Sequence, residues 1–242
     1  MSTALLPPTL NRRHLLQYGG GLLGTSLMAT ILGNGLSNPA IAAPQTLGNN
    51  PITPDEALAT LLAGNQRFIE RKRLNPHQTP ERLTEVAQQQ TPFAALLCCA
   101  DSRVPAEMIF DQGFGDLFVC RVAGNIATPE EIGSLEFGTW VLGAKVLMVM
   151  GHQGCGAVKA TLEKKHFSRE IDRLVEEIQI GLTATETKAS SPNLEQAVKT
   201  NVLYQVKQLT QSPVLSELIR KNQLKIVGAY YDLNTNQVSL LS

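Results

Sequence analysis

Three short apolar runs constrain this chain more than any other feature: Phe93 to Cys98, Leu117 to Val122 and Val146 to Met150 are almost free of polar residues. None shows the strict alternation of a half-exposed strand, and its absence marks strands buried on both faces. Such strands belong in the middle of a parallel sheet with helices on either side.

The segments between and around the runs supply those helices. Thr53-Pro54-Asp55-Glu56 combines a cap, a first-turn proline and a returning glutamate at capping-box spacing. A helix is predicted to follow, with Leu58, Leu61, Leu62 and Phe68 on one side. Thr128-Pro129-Glu130-Glu131 repeats the signature before Ile132, Leu135, Thr139 and Leu142, and Gly143 closes that helix. Strand, helix, strand is the βαβ unit. Helical patterns recur near Ile171 to Ile178 and Leu194 to Leu209, then Ile226 to Tyr231 reads as a late strand and Val238 to Leu241 as a short last one. The expected fold is α/β: a central, mostly parallel β-sheet flanked by helices, in a single domain with an N-terminal helical arm.

Residues 1–43 read as an address. Arg12 and Arg13 precede an uncharged stretch from Leu15 to Leu32, and Ala40-Ile41-Ala42-Ala43 offers small residues at a signal-peptidase spacing. The arginine pair, and an apolar stretch diluted by Gly19, Gly20 and Gly21, resemble a twin-arginine signal, although Leu15 stands where an aromatic is usual. A general secretory signal and an uncleaved anchor stay open. Residues 44–52 are expected to form a linker, and 53–242 the folded domain. The expectation is an exported protein, in a periplasm, a thylakoid lumen or held at a membrane through an uncleaved signal, with no later segment apolar enough to span one.

Charge narrows the partners. The chain has 21 basic and 21 acidic residues with no long run of one sign, so it lacks the footprint of a nucleic-acid binder. A small substrate is expected. Its four cysteines, Cys98, Cys99, Cys120 and Cys155, are too sparse for a disulfide scaffold.

Two of them explain themselves by position. Cys99-Ala100-Asp101-Ser102-Arg103 begins where the first run ends, and Gly151-His152-Gln153-Gly154-Cys155-Gly156 begins where the third ends. In parallel sheets the carboxyl ends of the strands are where functional groups converge. His152 and Cys155, three apart, share one side of a turn, and Cys99 arrives from a neighbouring strand. Two thiolates and one imidazole suit Zn2+, and three protein ligands leave the fourth corner of its tetrahedron open. Asp101 is near enough to fill that corner as a fourth ligand in a closed form, or to act beside it. A two-pronged pair with Arg103 would hold it ionised and turned away from the metal. The spacing leaves both arrangements open.

These two segments resemble the signature motifs of the beta-class carbonic anhydrases. The resemblance runs from Leu62-Ala63-Gly64-Asn65-Gln66-Arg67-Phe68 through Phe118-Val119-Cys120-Arg121 and Gly124-Asn125 to Gly228-Ala229-Tyr230-Tyr231-Asp232. It implies a homodimer or higher homo-oligomer with one Zn2+ per subunit on Cys99, His152 and Cys155, and a catalytic dyad of Asp101 and Arg103. It further implies that Gln90 and the Gly156 N–H bind substrate, and that Phe118, Ala123 and Phe137 line an apolar carbon dioxide pocket, partly from the neighbouring subunit. Phe137 replaces a common tyrosine and Ala123 a common valine. The reaction implied is reversible hydration of carbon dioxide to bicarbonate by a zinc-bound hydroxide. Some bacterial members switch off through a bicarbonate site that includes a tryptophan where this chain has Leu96; Arg121 matches the arginine of that site, and no such switch is predicted. Two rivals share the ligands: a zinc hydrolase of carbon disulfide or carbonyl sulfide, and a catalytically weak zinc protein regulating a membrane complex. Intact Asp101, Arg103 and Gln90 argue against the second.

The remaining reactive side chains read more plainly. Cys98 faces away from Cys99 as a core residue, and a bond between Cys98 and Cys120 is conceivable in an oxidising compartment. His77 and His166 read as ordinary surface histidines. Tyr230 and Tyr231 alternate on a strand, which predicts one in the core and one at the rim.

Overall fold

Each apolar run becomes a strand: Ala94–Cys98 is β1, Leu117–Arg121 is β2 and Val146–His152 is β3. The late strands are Lys225–Tyr231 (β4) and Val238–Leu241 (β5). The computed structural model describes residues 50–184 and 193–241, so the expected export signal, with His14, and the linker as far as residue 49 lie outside the described residues. The five strands order as β2-β1-β3-β4-β5, with the first four parallel and β5 antiparallel to β4.

Alternate residues of the central strands enter opposite cores. Ala94, Leu96 and Cys98 of β1 join Val146, Met148 and Met150 of β3 beneath Ala57 and Leu61 of α1 (Pro54–Ile69) and Ile109 of α3 (Ala106–Ile109). Ala95, Leu97, Leu147 and Val149 face the other way, against Leu135 of α4 (Pro129–Glu136), Val202 and Leu209 of α7 (Leu194–Thr210) and Leu215 of α8 (Pro213–Arg220). Burying a leucine or methionine completely contributes about 1.5–3 kcal/mol, which makes β1 and β3 the centre of the fold. A short helix α2 (Pro80–Val86) precedes β1, and α5 (Gly156–Leu162) and α6 (Arg169–Ala184) follow β3.

The expected N-terminal helix is α1, and its Thr53 forms the capping box with Glu56. At Thr128 the box is not formed. That hydroxyl donates to the carboxylates of Glu130 and Glu131 and accepts nothing from the helix. The helix expected to run on to Gly143 ends at Glu136 and widens into a π turn, Phe137–Val141, before Gly143 turns the chain at φ 82°.

Three other expectations are corrected, and a fourth is extended. β2 is the sheet's edge, half-buried from Leu117 to Cys120 and exposed at Arg121, because among the described residues no strand flanks its outer side. Tyr230 and Tyr231 are both buried, on opposite faces, since helices cover the sheet on each side of β4. Cys120 stands opposite Leu97 and packs into the core that Cys98 faces away from, so a bond between the two is ruled out by register. His77 is exposed, as expected, but it is paired: its Nδ1 lies 2.7 and 2.8 Å from the two oxygens of the buried Asp116.

Candidate metal centre

The chain leaves β1 for β2 on one side and later returns to build β3 on the other, so strand order reverses between β1 and β3. At such a switch point the connections leave in opposite directions and open a crevice beyond the carboxyl ends. Cys99 follows β1 directly, His152 ends β3, and Cys155 caps the N-terminus of α5.

The ligand atoms of Cys99, His152 and Cys155 all lie within 4.8 Å of one another, and the two sulfurs are 4.0 Å apart. All three residues are buried. The Nδ1–H of His152 donates to the Gln153 carbonyl at 3.0 Å, which leaves the Nε2 lone pair free to bind a cation. That Nε2 is buried and has no hydrogen-bond partner among the described residues. A buried polar atom without a partner costs free energy, and a metal ion between two thiolates relieves it. The donor set therefore fits Zn2+.

Electrostatics support the same assignment. Hydrogen bonding from Cys155 lowers the Cys99 thiol to about 4, against burial, and the Gly124 N–H adds a bond to its sulfur at 3.3 Å. Gly124 reaches that sulfur at φ 74°, a conformation that glycine adopts without strain. Cys155 is pushed the other way by the same contact and by burial, so the bare pair shares a proton that a dication would displace. Cys98, fully buried on the opposite face, has its thiol pushed up by burial and takes no part.

Asp101 stands beside the cluster, with Oδ2 3.8 Å from His152 Nε2. Arg103 donates from Nε to Oδ1 at 2.9 Å and from Nη2 to Oδ2 at 2.7 Å, and its backbone N–H adds a third bond to Oδ1 at 2.9 Å. These bonds hold the Asp101 carboxyl well below the usual carboxylate range. Of the two arrangements the spacing left open, the structure has Asp101 paired with Arg103.

A family model described as carbonic anhydrase matches residues 94–238, which contain all three sulfur and nitrogen ligands. The carbonic anhydrase of Mycolicibacterium smegmatis is 36% identical over 202 residues, covering 80% of this chain and 95% of the relative. The chain belongs to the carbonic anhydrase family. Carbonic anhydrase 2 of Mycobacterium tuberculosis is 32% identical over 195 residues, covering 77% and 92%. Among solved structures, the beta-carbonic anhydrase CafA of Aspergillus fumigatus superposes with a TM-score of 0.62 at 26% identity, over 76% of this chain and 90% of that one. The Coccomyxa beta-carbonic anhydrase bound to acetazolamide gives 0.61 at 26%, over 76% and 86%.

Within this carbonic anhydrase chain the expected substrate-binding residues divide into two groups. Ala123 begins the 3-10 turn Ala123–Asn125 that carries Gly124, and Gly156 is the exposed first residue of α5, so both adjoin the ligands. Gln90, Phe118 and Phe137 do not. Gln90 precedes β1, Phe118 pairs with Ala95 near its start, and the Phe137 ring lies 6.4 Å from that of Phe118. They sit at the amino ends of the strands, opposite the metal cluster. A groove of about 760 Å3 lined by Leu83, Val86, Gln90, Phe114 and Leu142 opens at that end.

Two supporting roles went unread in the sequence, where Arg121 was matched only to the arginine of a bicarbonate site. Gln153 supplies the carbonyl that orients His152, and is itself pinned: its N–H donates to Tyr231 O at 2.9 Å and its Oε1 accepts from Leu233 N–H at 3.1 Å. Arg121 donates to the carbonyls of Cys99 and Asp101. Its place at the end of the second apolar run, beside the first run's cysteine, was the available signal.

Proposed function

We propose that this carbonic anhydrase family member catalyses the reversible hydration of carbon dioxide, with one Zn2+ per subunit held by Cys99, His152 and Cys155. The observation that carries the reading is the orphaned Nε2 of His152, buried between two thiols and beside a carboxylate that Arg103 turns aside. Zinc, when bound there, supplies the Lewis acidity that lets a water give up a proton near neutral pH.

The chain's own residues do the rest. Asp101, kept ionised by Arg103, accepts a hydrogen bond from the reacting water at Oδ2 and orients its lone pair toward carbon dioxide. Gly156 offers its N–H, at the start of α5, to an oxygen of the product. Carbon dioxide and water become bicarbonate, and the proton passes to buffer.

A homo-oligomer completes the site. The support is that Phe118 and Phe137, at the half-buried edge β2, and Gln90, ahead of β1, all lie at the end of the protomer remote from its own ligands. A second copy docked along that edge would bring its Gln90 and apolar rings to the metal crevice. Export rests on Arg12, Arg13 and Ala40-Ile41-Ala42-Ala43, with residues 44–52 as the linker; fractionation of cells expressing wild type and an Arg12→Lys, Arg13→Lys variant tests it.

Stopped-flow hydration of carbon dioxide across pH, by zinc-loaded wild type and Asp101→Ala, tests the activity. Hydration that rises with pH and falls sharply in the variant is the expected result. Absence of hydration with stoichiometric zinc bound would move the assignment to a sulfur analogue of carbon dioxide.

A further inference from the structure

The segment from Cys99 to Arg103 carries a metal ligand and both members of the carboxylate pair, yet it lies beyond the end of β1. Strand pairing holds only its first part, through Val122 N–H to Cys98 O at 3.1 Å and Ala100 N–H to Val122 O at 3.3 Å. Beyond that, one side chain of the neighbouring strand reaches across. Arg121, the last residue of β2, donates from Nε to Cys99 O at 3.2 Å and from Nη2 to Asp101 O at 2.6 Å.

We propose that Arg121 is a positioning residue whose guanidinium clamps the carbonyls of Cys99 and Asp101 and so fixes the metal ligand and the dyad carboxylate relative to each other. The inference deepens the zinc-enzyme reading and rests on it. A guanidinium presents its donors in a rigid planar fork, so two carbonyls two residues apart are held at a set spacing. The constraint runs from Arg121 to the Asp101 peptide, and the three bonds from Arg103 pass it on to the carboxylate. Rotation of that peptide would carry Oδ2 away from its place 3.8 Å from His152 Nε2. A misplacement of about 1 Å costs on the order of 10²-fold in rate.

The test compares full-length, zinc-loaded wild type with Arg121→Ala and Arg121→Lys in carbon dioxide hydration, zinc release to a chelator and thermal melting. For Arg121→Ala, kcat is expected to fall by roughly 10²-fold with little change in KM. Zinc release should quicken by about 10-fold, as for the loss of a residue that orients a ligand. Zinc content and melting temperature should stay near wild type. Lysine, a point charge with no fork, should restore only part of either. Wild-type kcat and zinc release in Arg121→Ala would overturn the proposal, as would full rescue by lysine. A fall in melting temperature large enough to explain the lost activity would overturn it too, by assigning Arg121 to folding. If the wild type itself hydrates no carbon dioxide, the functional reading fails, while faster zinc release from Arg121→Ala would still support the clamp.

Discussion

Arg103 grips both oxygens of Asp101, with Nε 2.9 Å from Oδ1 and Nη2 2.7 Å from Oδ2, while the same Oδ2 lies 3.8 Å from His152 Nε2. The carboxylate is therefore close enough to reach a cation at the cluster and is kept from it by Arg103, whose side chain supplies two of the three bonds that hold it. Arg103→Ala should release it toward the metal. Hydration is expected to drop by roughly 10²-fold, with zinc content unchanged by elemental analysis. An alanine variant as fast as wild type would show that the pair does not govern the site.

The cluster of Cys99, His152 and Cys155 is buried, so its occupant should matter to the fold as well as to the chemistry. Cys155→Ser and His152→Ala are expected to leave dialysis with far less than one zinc per chain. Stripping wild type with a chelator should lower its melting temperature, because an ion bound only by the folded state stabilises it. Identical melting curves with and without chelator, on protein shown to start with zinc, would contradict this.

Asp111 ties the end of α1 to the loop after it: it accepts from Arg67 Nε at 2.6 Å, Leu74 N–H at 3.0 Å and Asn75 N–H at 2.9 Å. Burial alone would raise its carboxyl, yet these bonds lower it. A depressed pKa stabilises the fold above the unfolded value of about 3.9, and that contribution is lost as pH falls from there through the folded value. Asp111→Asn should thus be less stable than wild type at neutral pH. In denaturant titrations the gap should narrow below about pH 4, and a gap independent of pH would remove Asp111 as the cause.

Gly64 and Gly133 make a matched pair. A Cβ on Gly64 would sit 1.8 Å from the Phe110 carbonyl oxygen, whereas one on Gly133 in α4 meets nothing within 4 Å among the described residues. Gly64→Ala should cost about 1–3 kcal/mol or more by overpacking. Gly133→Ala should stabilise by about 0.5–1 kcal/mol through helix propensity. Urea midpoints moving in the same direction would refute the contrast.

Much of this was legible in one dimension because the relevant forces are local or periodic. Unbroken apolar runs mark β1 and β3 as doubly covered strands, and Thr53 with Glu56 marks a helix start, since each rests on residues within a few positions. Cys99, His152 and Cys155 could be read as one site because the carboxyl ends of adjacent parallel strands meet by rule.

Other features needed the tertiary structure, each for a definite reason. The Thr128 hydroxyl can accept or donate, and only the placement of Glu130 and Glu131 decides which. His77 meets Asp116 across 39 residues, a pairing that no spacing encodes. Both tyrosines of β4 are buried because α1 and α7 cover opposite faces, so alternation no longer separates core from rim. Residue types and local order determined by themselves that a two-thiol, one-imidazole site would form at the sheet's carboxyl edge. Strand order and register decided what surrounds it: Arg121 over the Cys99 and Asp101 carbonyls, Cys120 turned from Cys98, and Gln90, Phe118 and Phe137 left at the far end. Those placements depend on distances between segments remote in sequence, which the chain acquires only when its cores pack.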